Sequence, residues 1–321
     1  MVDRRQFIKG VGVASTVGIA GLSGCMGNNS GTGDQTTTGE STPQPYSDGT
    51  LDFSMSPSEP QDLMMKQYKP VKQYLSDEVQ KTELTYAKDY AAVVQALGSG
   101  TGDVAETGPF AAALGVSEDK AEIGLQRFAY GGWTYTSVIT TKKDSDINSL
   151  EDLKGKKVAL ADRLSASGSL YPLYMLKQAG LSIGDLPTGG DANADFDAQY
   201  AGGHGAAWSA LENDQVAAAG TGQFITVTGD DRTLADGYEY VESYDGIPRA
   251  PIVLSPELSG NEKEAVVDAF ANAPEDMYLG ADGKADTDDD LWFSDVRPAD
   301  VATYQPVINV AEELGISLGD L

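Results

Sequence analysis

The sequence predicts an α/β protein of two lobes, and three observations carry that expectation. The chain has 321 residues and is 40% hydrophobic, enough to bury two cores. Short apolar runs of strand length alternate with helix-length segments from Leu51 onward, which favours sheets covered by helices over a sandwich or a bundle. The alternation starts afresh near Ser149, so the elements fall into two series.

Each element has a local reason. LDFSMSP (51–57) reads as a strand, and PQDLMMKQYKPVKQYLSDEV (60–79) as a helix that Pro70 kinks or breaks, because proline lacks an N–H for the helical ladder. TELTYA (82–87) is the next strand, and DYAAVVQALGSG (89–100) is a helix that Asp89 caps and Gly98 ends. GDVAETGP ends a strand at a turn, FAAALGV forms a helix, and EIGLQRF and TYTSVITT read as strands that complete a β-α-β-α-β lobe. SLEDLKGKKVALAD (149–162) opens the second series with a short helix and a strand, and FDAQYAGGHGAAWSALENDQVAAAGTG (196–222) repeats strand, helix and strand. Near SYDGIPRAPIVLSPEL (243–258) the chain returns to the first lobe with a strand and two further helices at 261–273 and 299–314. Two crossings between lobes leave a cleft of the kind that closes on a ligand by hinge motion.

The charge is the unusual quantity. Asp and Glu number 49 against 22 Lys and Arg, a formal net charge of −27. Nucleic acid and anionic lipid headgroups are poor partners for such a surface. The acids are spread along the chain, as halophile proteins arrange them to stay hydrated in strong salt, and we read them as solvent adaptation rather than a substrate signal.

The N-terminus opens MVDRRQFIKGVGVASTVGIAGLSGC. Its apolar run from Val11 to Leu22 is too short and too Gly-rich to span a bilayer, which is the form of an export signal. DRRQFIK resembles a twin-arginine signal, with Asp3 where Ser or Thr is usual. Leu22, Ser23, Gly24 and Cys25 resemble a lipobox, in which Cys25 is lipidated and becomes the first mature residue. Anchoring also accounts for a lone Cys in an exported chain, since no second Cys exists to form a disulfide. The competing reading, an uncleaved membrane helix, leaves the same domain outside the cytoplasm. Arg4, Arg5 and Lys9 against Asp3 make residues 1–24 a net +2, so the mature chain carries −29. Met26 to Thr50 is mostly Gly, Ser, Thr, Asn and Pro without apolar periodicity and reads as a flexible tether. The expected organisation is a signal at 1–24, a lipidated tether at 25–50, a first lobe at 51–141 plus 246–321, and a second lobe at 142–245.

The stretch ADRLSASGSLYPLYML (161–176) concentrates Ser165, Ser167, Gly168 and Ser169 where a strand gives way to a helix. One Ser would cap that helix, worth about 1 kcal/mol. Three hydroxyls and a Gly, with Pro172 in the first turn, also describe a set of donors able to hold an anion.

Other chemistry finds little support. One His and no mature thiol besides Cys25 leave few routes to a nucleophile with its base, and no metal or other cofactor is expected. GADGKADTDDDLW (280–292) hints at a calcium loop. Counted from Asp282, its sixth and twelfth positions hold Thr287 and Phe293 rather than Gly and Glu, so it reads as a solvated acidic loop. A structural or adhesive surface protein would show repeats or a β-rich pattern, and neither is present.

Seven segments in order resemble the phosphate and phosphonate family of solute-binding proteins that serve ABC importers. They are KDYAAVVQAL, GDVAETGPFAAAL, YTSVITTKKDSDINSLEDLKGKKVA, SASGSLYPLYMLKQAG, GGHGAAWSALENDQVAAA, IPRAPIVL and DVATYQPVINVAEELG. The likeness covers nearly all of residues 50–318 and implies the periplasmic-binding-protein type II architecture, two α/β lobes around a hinged cleft, with no chemistry done on the ligand. It implies that Tyr90 and Thr107 face the ligand from the first lobe, and that Ser165, Ala166, Ser167 and Gly168 form an anion cradle in the second. His204 matches the family's ligand histidine, and a charged imidazole would strengthen its hydrogen bond.

In members that take aminoalkyl phosphonates, acids after the histidine strand and at the return crossing meet the ligand amine. Here those places hold Gln223 and Ala250, so nothing negative is expected to pair a buried ammonium. Arg249 either faces the cleft or sits on the surface.

The resemblance therefore implies a monomeric, lipid-anchored binding protein on the outer face of the membrane. It would capture phosphate, phosphite or an amine-free alkylphosphonate for an ABC permease. A sulfonate-binding protein and an extracellular enzyme acting on phosphorylated substrates are the alternatives.

Overall fold

The computed structural model describes residues 49–229 and 231–317. The expected export signal, Cys25 and the expected tether up to Asp48 lie outside the described residues.

The first series runs β1 (Leu51–Met55), α1 (Gln61–Gln67), α2 (Lys69–Glu78), β2 (Thr82–Tyr86), α3 (Tyr90–Gly98), β3 (Val104–Glu106), α4 (Pro109–Ser117) and β4 (Glu122–Phe128). The second runs β5 (Thr134–Lys142), β6 (Lys157–Leu160), α5 (Tyr171–Gln178), β7 (Asp197–Tyr200), α6 (His204–Glu212), β8 (Ala218–Gly222), α7 (Gln223–Thr226), β9 (Val227–Thr228), β10 (Thr233–Leu234) and β11 (Tyr238–Pro248). The chain then returns through β12 (Pro251–Leu254), α8 (Gly260–Ala271), β13 (Asp295–Pro298) and α9 (Val301–Leu314).

Local signals in the sequence work as their chemistry requires. The Asp89 carboxylate accepts the N–H of Ala92 at 2.7 Å and starts α3. Pro70 falls in the first turn of α2, where its missing N–H removes no bond, and the break lies just before it at Tyr68. Ser259 and Glu262 exchange side-chain and backbone bonds across the start of α8, a capping box.

Two main sheets result, one per lobe, beside a small antiparallel pair of β9 and β10. The first has the order β13-β4-β12-β3-β1-β2 and the second β11-β5-β8-β6-β7. β1 is parallel to both β2 and β3, with Leu51, Phe53 and Met55 fully buried in the core beneath α1, α2 and α8. Helices thus cover both sheets, the mixed α/β two-lobed arrangement expected.

The lobe boundary differs from expectation at one place. TYTSVITT was expected to close the first lobe, but β5 pairs antiparallel with β8 and β11 and belongs to the second sheet. Apolar alternation marks a strand without naming its partner. The first crossing is therefore Ala129–Trp133 and the return crossing is Arg249–Ala250. The lobes are joined by more than these two strands. Tyr304 and Val307 of α9 pack in one cluster with Phe110 and Leu114 of α4 and with Leu170 and Tyr171 of the second lobe.

Candidate functional site

A cavity of about 150 Å³ lies between the lobes. Its walls come from the loops that follow strand carboxyl ends, where ligands of open α/β sheets bind. Thr107 follows β3, Ser165 follows β6, His204 follows β7 and Phe224 follows β8. Tyr130 and Arg249 on the two crossings complete it.

The second-lobe wall is built at the start of α5. Residues Ala166–Leu170 form one wide π turn that runs directly into the helix. The first N–H groups of a helix have no carbonyl behind them, so those of Ala166 and Ser167 remain donors at the wall. Ser165 Oγ accepts the N–H of Gly168 at 3.2 Å and lies 3.1 Å from His204 Nε2. The carbonyl of Ser167 accepts Ser137 Oγ at 2.7 Å, which holds the turn against β5. Ser169 is different: its hydroxyl donates to the Asp162 carbonyl at 2.6 Å and is fully buried, so it supports the turn.

His204 is held at both nitrogens. The Gly222 N–H donates to Nδ1 at 3.1 Å, which requires a lone pair there and puts the proton on Nε2. That proton goes to Ser165 Oγ, which already accepts from Gly168. Ser165 therefore has its own hydroxyl proton left to donate into the cavity. Burial pushes the His204 pKa down to about 4, and no carboxylate opposes that shift, so the imidazole is neutral near pH 7. The expectation of a charged histidine is corrected on this ground.

The first-lobe wall carries Tyr90 and Thr107. Burial raises the Tyr90 pKa, with the Glu106 carboxylate adding to the effect, so the phenol stays a proton donor. Thr107 lies 2.9 Å, oxygen to oxygen, from Ser56 Oγ. Gln223 is not on the wall; Phe224, one residue later, is, stacked on Tyr130 with centroids 6.4 Å apart and edge-on to His204 at 5.1 Å. Gly168 stands behind the wall. A Cβ there would meet Ala161 Cβ at 2.4 Å and His204 Cε1 at 2.8 Å.

Sequence reasoning missed an ion pair on the wall. Arg127 Nη1 meets Glu106 Oε2 at 2.9 Å, and the two side chains are 1% and 2% exposed. Arg127 also donates to the Ala250 carbonyl at 2.9 Å and the Thr107 carbonyl at 3.2 Å, and lies 4.4 Å over the Trp292 ring. The only hint in the sequence is an arginine inside the apolar strand EIGLQRF, which needs a buried acid somewhere.

The expectation that no acid reaches the cavity is corrected too. Glu106 lines it with its charge taken by Arg127, and half-buried Glu59, on the loop after β1, lines it with its pKa raised by burial. Neither position is one that the resemblance compares. Arg249, whose placement the sequence left open, is on the wall and 7% exposed. In the acidic loop, the Asp289 carboxylate accepts the N–H groups of Ala281 and Asp282 at 2.9 and 3.2 Å, so the loop closes on itself. Among the described residues no group of three or more His, Cys, Asp or Glu gathers as metal ligands.

Two lobes with a cavity between them, walled largely by hydrogen-bond donors, have the form of a solute-binding protein. The chain belongs to the family of phosphonate-binding periplasmic substrate-binding proteins of ABC transporters, which matches residues 53–304. It is 32% identical over 194 residues to the phosphate-import protein PhnD of Mycolicibacterium smegmatis, covering 58% of each chain. It is 27% identical over 231 residues to the phosphonates-binding periplasmic protein of Escherichia coli, covering 69% of this chain and 65% of that one. The chain thus aligns with 58% and 65% of the length of these two curated relatives. PhnD1 of Prochlorococcus marinus, solved in complex with methylphosphonate, shares the fold with a TM-score of 0.64 at 17% identity, over 83% of this chain and 98% of that one.

Proposed function

We propose that this chain is the extracytoplasmic binding protein of an ABC importer, capturing a small phosphorus oxyanion without an amine, such as phosphate, phosphite or methylphosphonate. The observation that carries the reading is the convergence of neutral donors from both lobes on one small cavity: Tyr90 and Thr107 from the first, and Ser165, Ala166 and Ser167 from the second, with His204 orienting the Ser165 hydroxyl. Oxyanions are held well by such donors, since hydroxyls and helix-start N–H groups need not be reorganised or deprotonated. The relatives named for phosphate import and phosphonate binding support the same class of ligand.

The site favours binding over catalysis. A serine nucleophile needs a base that takes its proton, but His204 Nε2 donates to Ser165, and Nδ1 is occupied by Gly222. Ala250 on the wall and the pairing of Glu106 with Arg127 argue against an ammonium group on the ligand. A lipid on Cys25, the first residue once the signal at 1–24 is removed, would hold the domain at the outer face of the membrane beside its permease.

Calorimetric titration of the full chain in strong KCl tests the reading. The panel is phosphate, phosphite, methylphosphonate, 2-aminoethylphosphonate and sulfate. Binding of an amine-free phosphorus anion at micromolar to nanomolar Kd, about −8 to −12 kcal/mol, is the expected result. Preference for 2-aminoethylphosphonate would point to Glu59 as its partner and overturn the amine-free part.

A further inference from the structure

Arg249 is anchored at three atoms. It sits on the return crossing, where its N–H donates to the Trp133 carbonyl at 2.9 Å and its Nε to the Gly132 carbonyl at 3.0 Å, both on the first crossing. Its own carbonyl accepts the Tyr304 hydroxyl of α9 at 2.6 Å. The guanidinium carbon lies 5.3 Å from the Tyr130 ring centroid and 5.4 Å from that of Tyr135. Held by both crossings, α9 and two rings, the side chain has little freedom to swing away. Arg249 lines the cavity, and its terminal amino groups have no hydrogen-bond or carboxylate partner among the described residues.

That contrasts with Arg127, which shares the same cavity but has Glu106 beside it. A buried charge without a counter-ion is costly, and the missing partner of Arg249 is therefore something that enters the cavity. The other charged and titratable groups around it do not supply one. Glu106 and Arg127 cancel, and His204 is neutral with its pKa near 4. Tyr90, Tyr135 and Tyr304 are raised by burial and stay protonated. Arg232, which lies over the far ring Tyr130 at 4.8 Å, adds a like charge. Glu59 lines the cavity but forms no ion pair with Arg249.

We propose that Arg249 is a ligand-binding and specificity-determining residue, whose guanidinium takes an oxygen of the bound anion and makes the cavity prefer a doubly charged oxyanion over a singly charged one. The assignment rests on the proposed binding of a phosphorus oxyanion. Methylphosphonate and methanesulfonate have nearly the same shape, a tetrahedral centre with a methyl and three oxygens. The sulfonate carries one charge throughout the working range, whereas the phosphonate gains its second near neutral pH. Hydroxyls and N–H groups distinguish the two only weakly. A fixed cation in a low-dielectric cavity feels the difference in charge directly.

The test is a titration of full-chain wild type, R249K and R249Q with both anions at pH 6.0 and 8.5, with circular dichroism to confirm folding. In the wild type, methylphosphonate affinity should rise with pH while methanesulfonate affinity stays flat, with a preference for the phosphonate at pH 8.5. R249K should keep most of that preference, and R249Q should lose about 10- to 100-fold of it, the range of one charge-assisted hydrogen bond. A folded R249Q with the wild-type preference overturns the assignment. So does a wild type whose phosphonate affinity ignores pH, an arm that decides the matter even if R249Q does not fold. Wild type that binds a phosphorus anion without charge preference removes Arg249 and leaves the proposed function standing; wild type that binds neither anion removes both.

Discussion

The backbone N–H of Gly222 donates to Nδ1 of His204 at 3.1 Å, and Nε2 faces Ser165 Oγ at 3.1 Å. The two contacts make the imidazole a link in a relay of donors that runs from β8 through the histidine to the Ser165 hydroxyl and ends in the cavity. Protonation at Nδ1 would set two N–H groups against each other, which adds a geometric reason to the desolvation that holds its pKa near 4.

His204 should therefore couple acid to stability. Its folded pKa of about 4 lies below the ordinary 6.5, so between those values the unfolded chain binds more protons. Stability from this group is present above about pH 6.5 and is lost as pH falls toward 4. Urea melts of wild type and His204→Ala across pH 4.5–7 should show the steeper acid loss in the wild type. At neutral pH, Ser167→Ala should weaken anion binding by about 10-fold with the fold intact, as expected for loss of one hydrogen bond, and His204→Ala should weaken it to a similar degree by releasing the Ser165 hydroxyl.

The buried pair Glu106–Arg127 sets a second test. Arg127→Met strands a carboxylate that is 2% exposed, and a buried pair broken on one side costs about 3–5 kcal/mol. Adding Glu106→Gln should recover most of that loss in denaturant melts. Failure of the double variant to recover would place the cost in packing against Trp292 instead.

Gly168 is restricted by contact rather than by backbone conformation. Gly168→Ala would place a methyl 2.4 Å from Ala161 Cβ and 2.8 Å from His204 Cε1. Ala161 cannot rotate away, so the turn must shift, at about 1–3 kcal/mol. The shift moves His204, so affinity should fall along with the melting temperature. Ser169→Ala, also in the turn but pointing away from the cavity, should reduce stability and leave affinity close to wild type.

The formal charge of −27 on the chain bears on rate. At low ionic strength the carboxylates repel an incoming anion, while at molar salt the Debye length is about 3 Å and only donors inside the cavity act. Stopped-flow association should be slower at low salt wherever the fold persists, and a salt-independent rate would rule out steering by the surface.

Much of this molecule follows from short-range chemistry. Asp89 caps α3, Pro70 falls just after the break between α1 and α2, and apolar alternation locates the strands, because each depends on neighbours within a few residues. The order of the segments also points to the two-lobed family. Pairing between strands is a matter of distant partners, which is why the alternation in β5 does not reveal that it pairs with β8 and β11 in the second lobe.

The site divides the same way. Ser165, Ala166 and Ser167 were legible as a donor cluster because a strand end and a helix start adjoin there in the sequence, and His204 because the resemblance marks it. The charge state of the cavity was not legible. It depends on Glu106 reaching Arg127 across 21 positions, on Gly222 reaching His204 across 18, and on Arg249 being held at the cleft by residues of the other crossing and of α9. Residue types and local spacing state which donors a chain possesses. Whether a charge is cancelled, buried or left facing the ligand depends on distances that exist only once the lobes have packed.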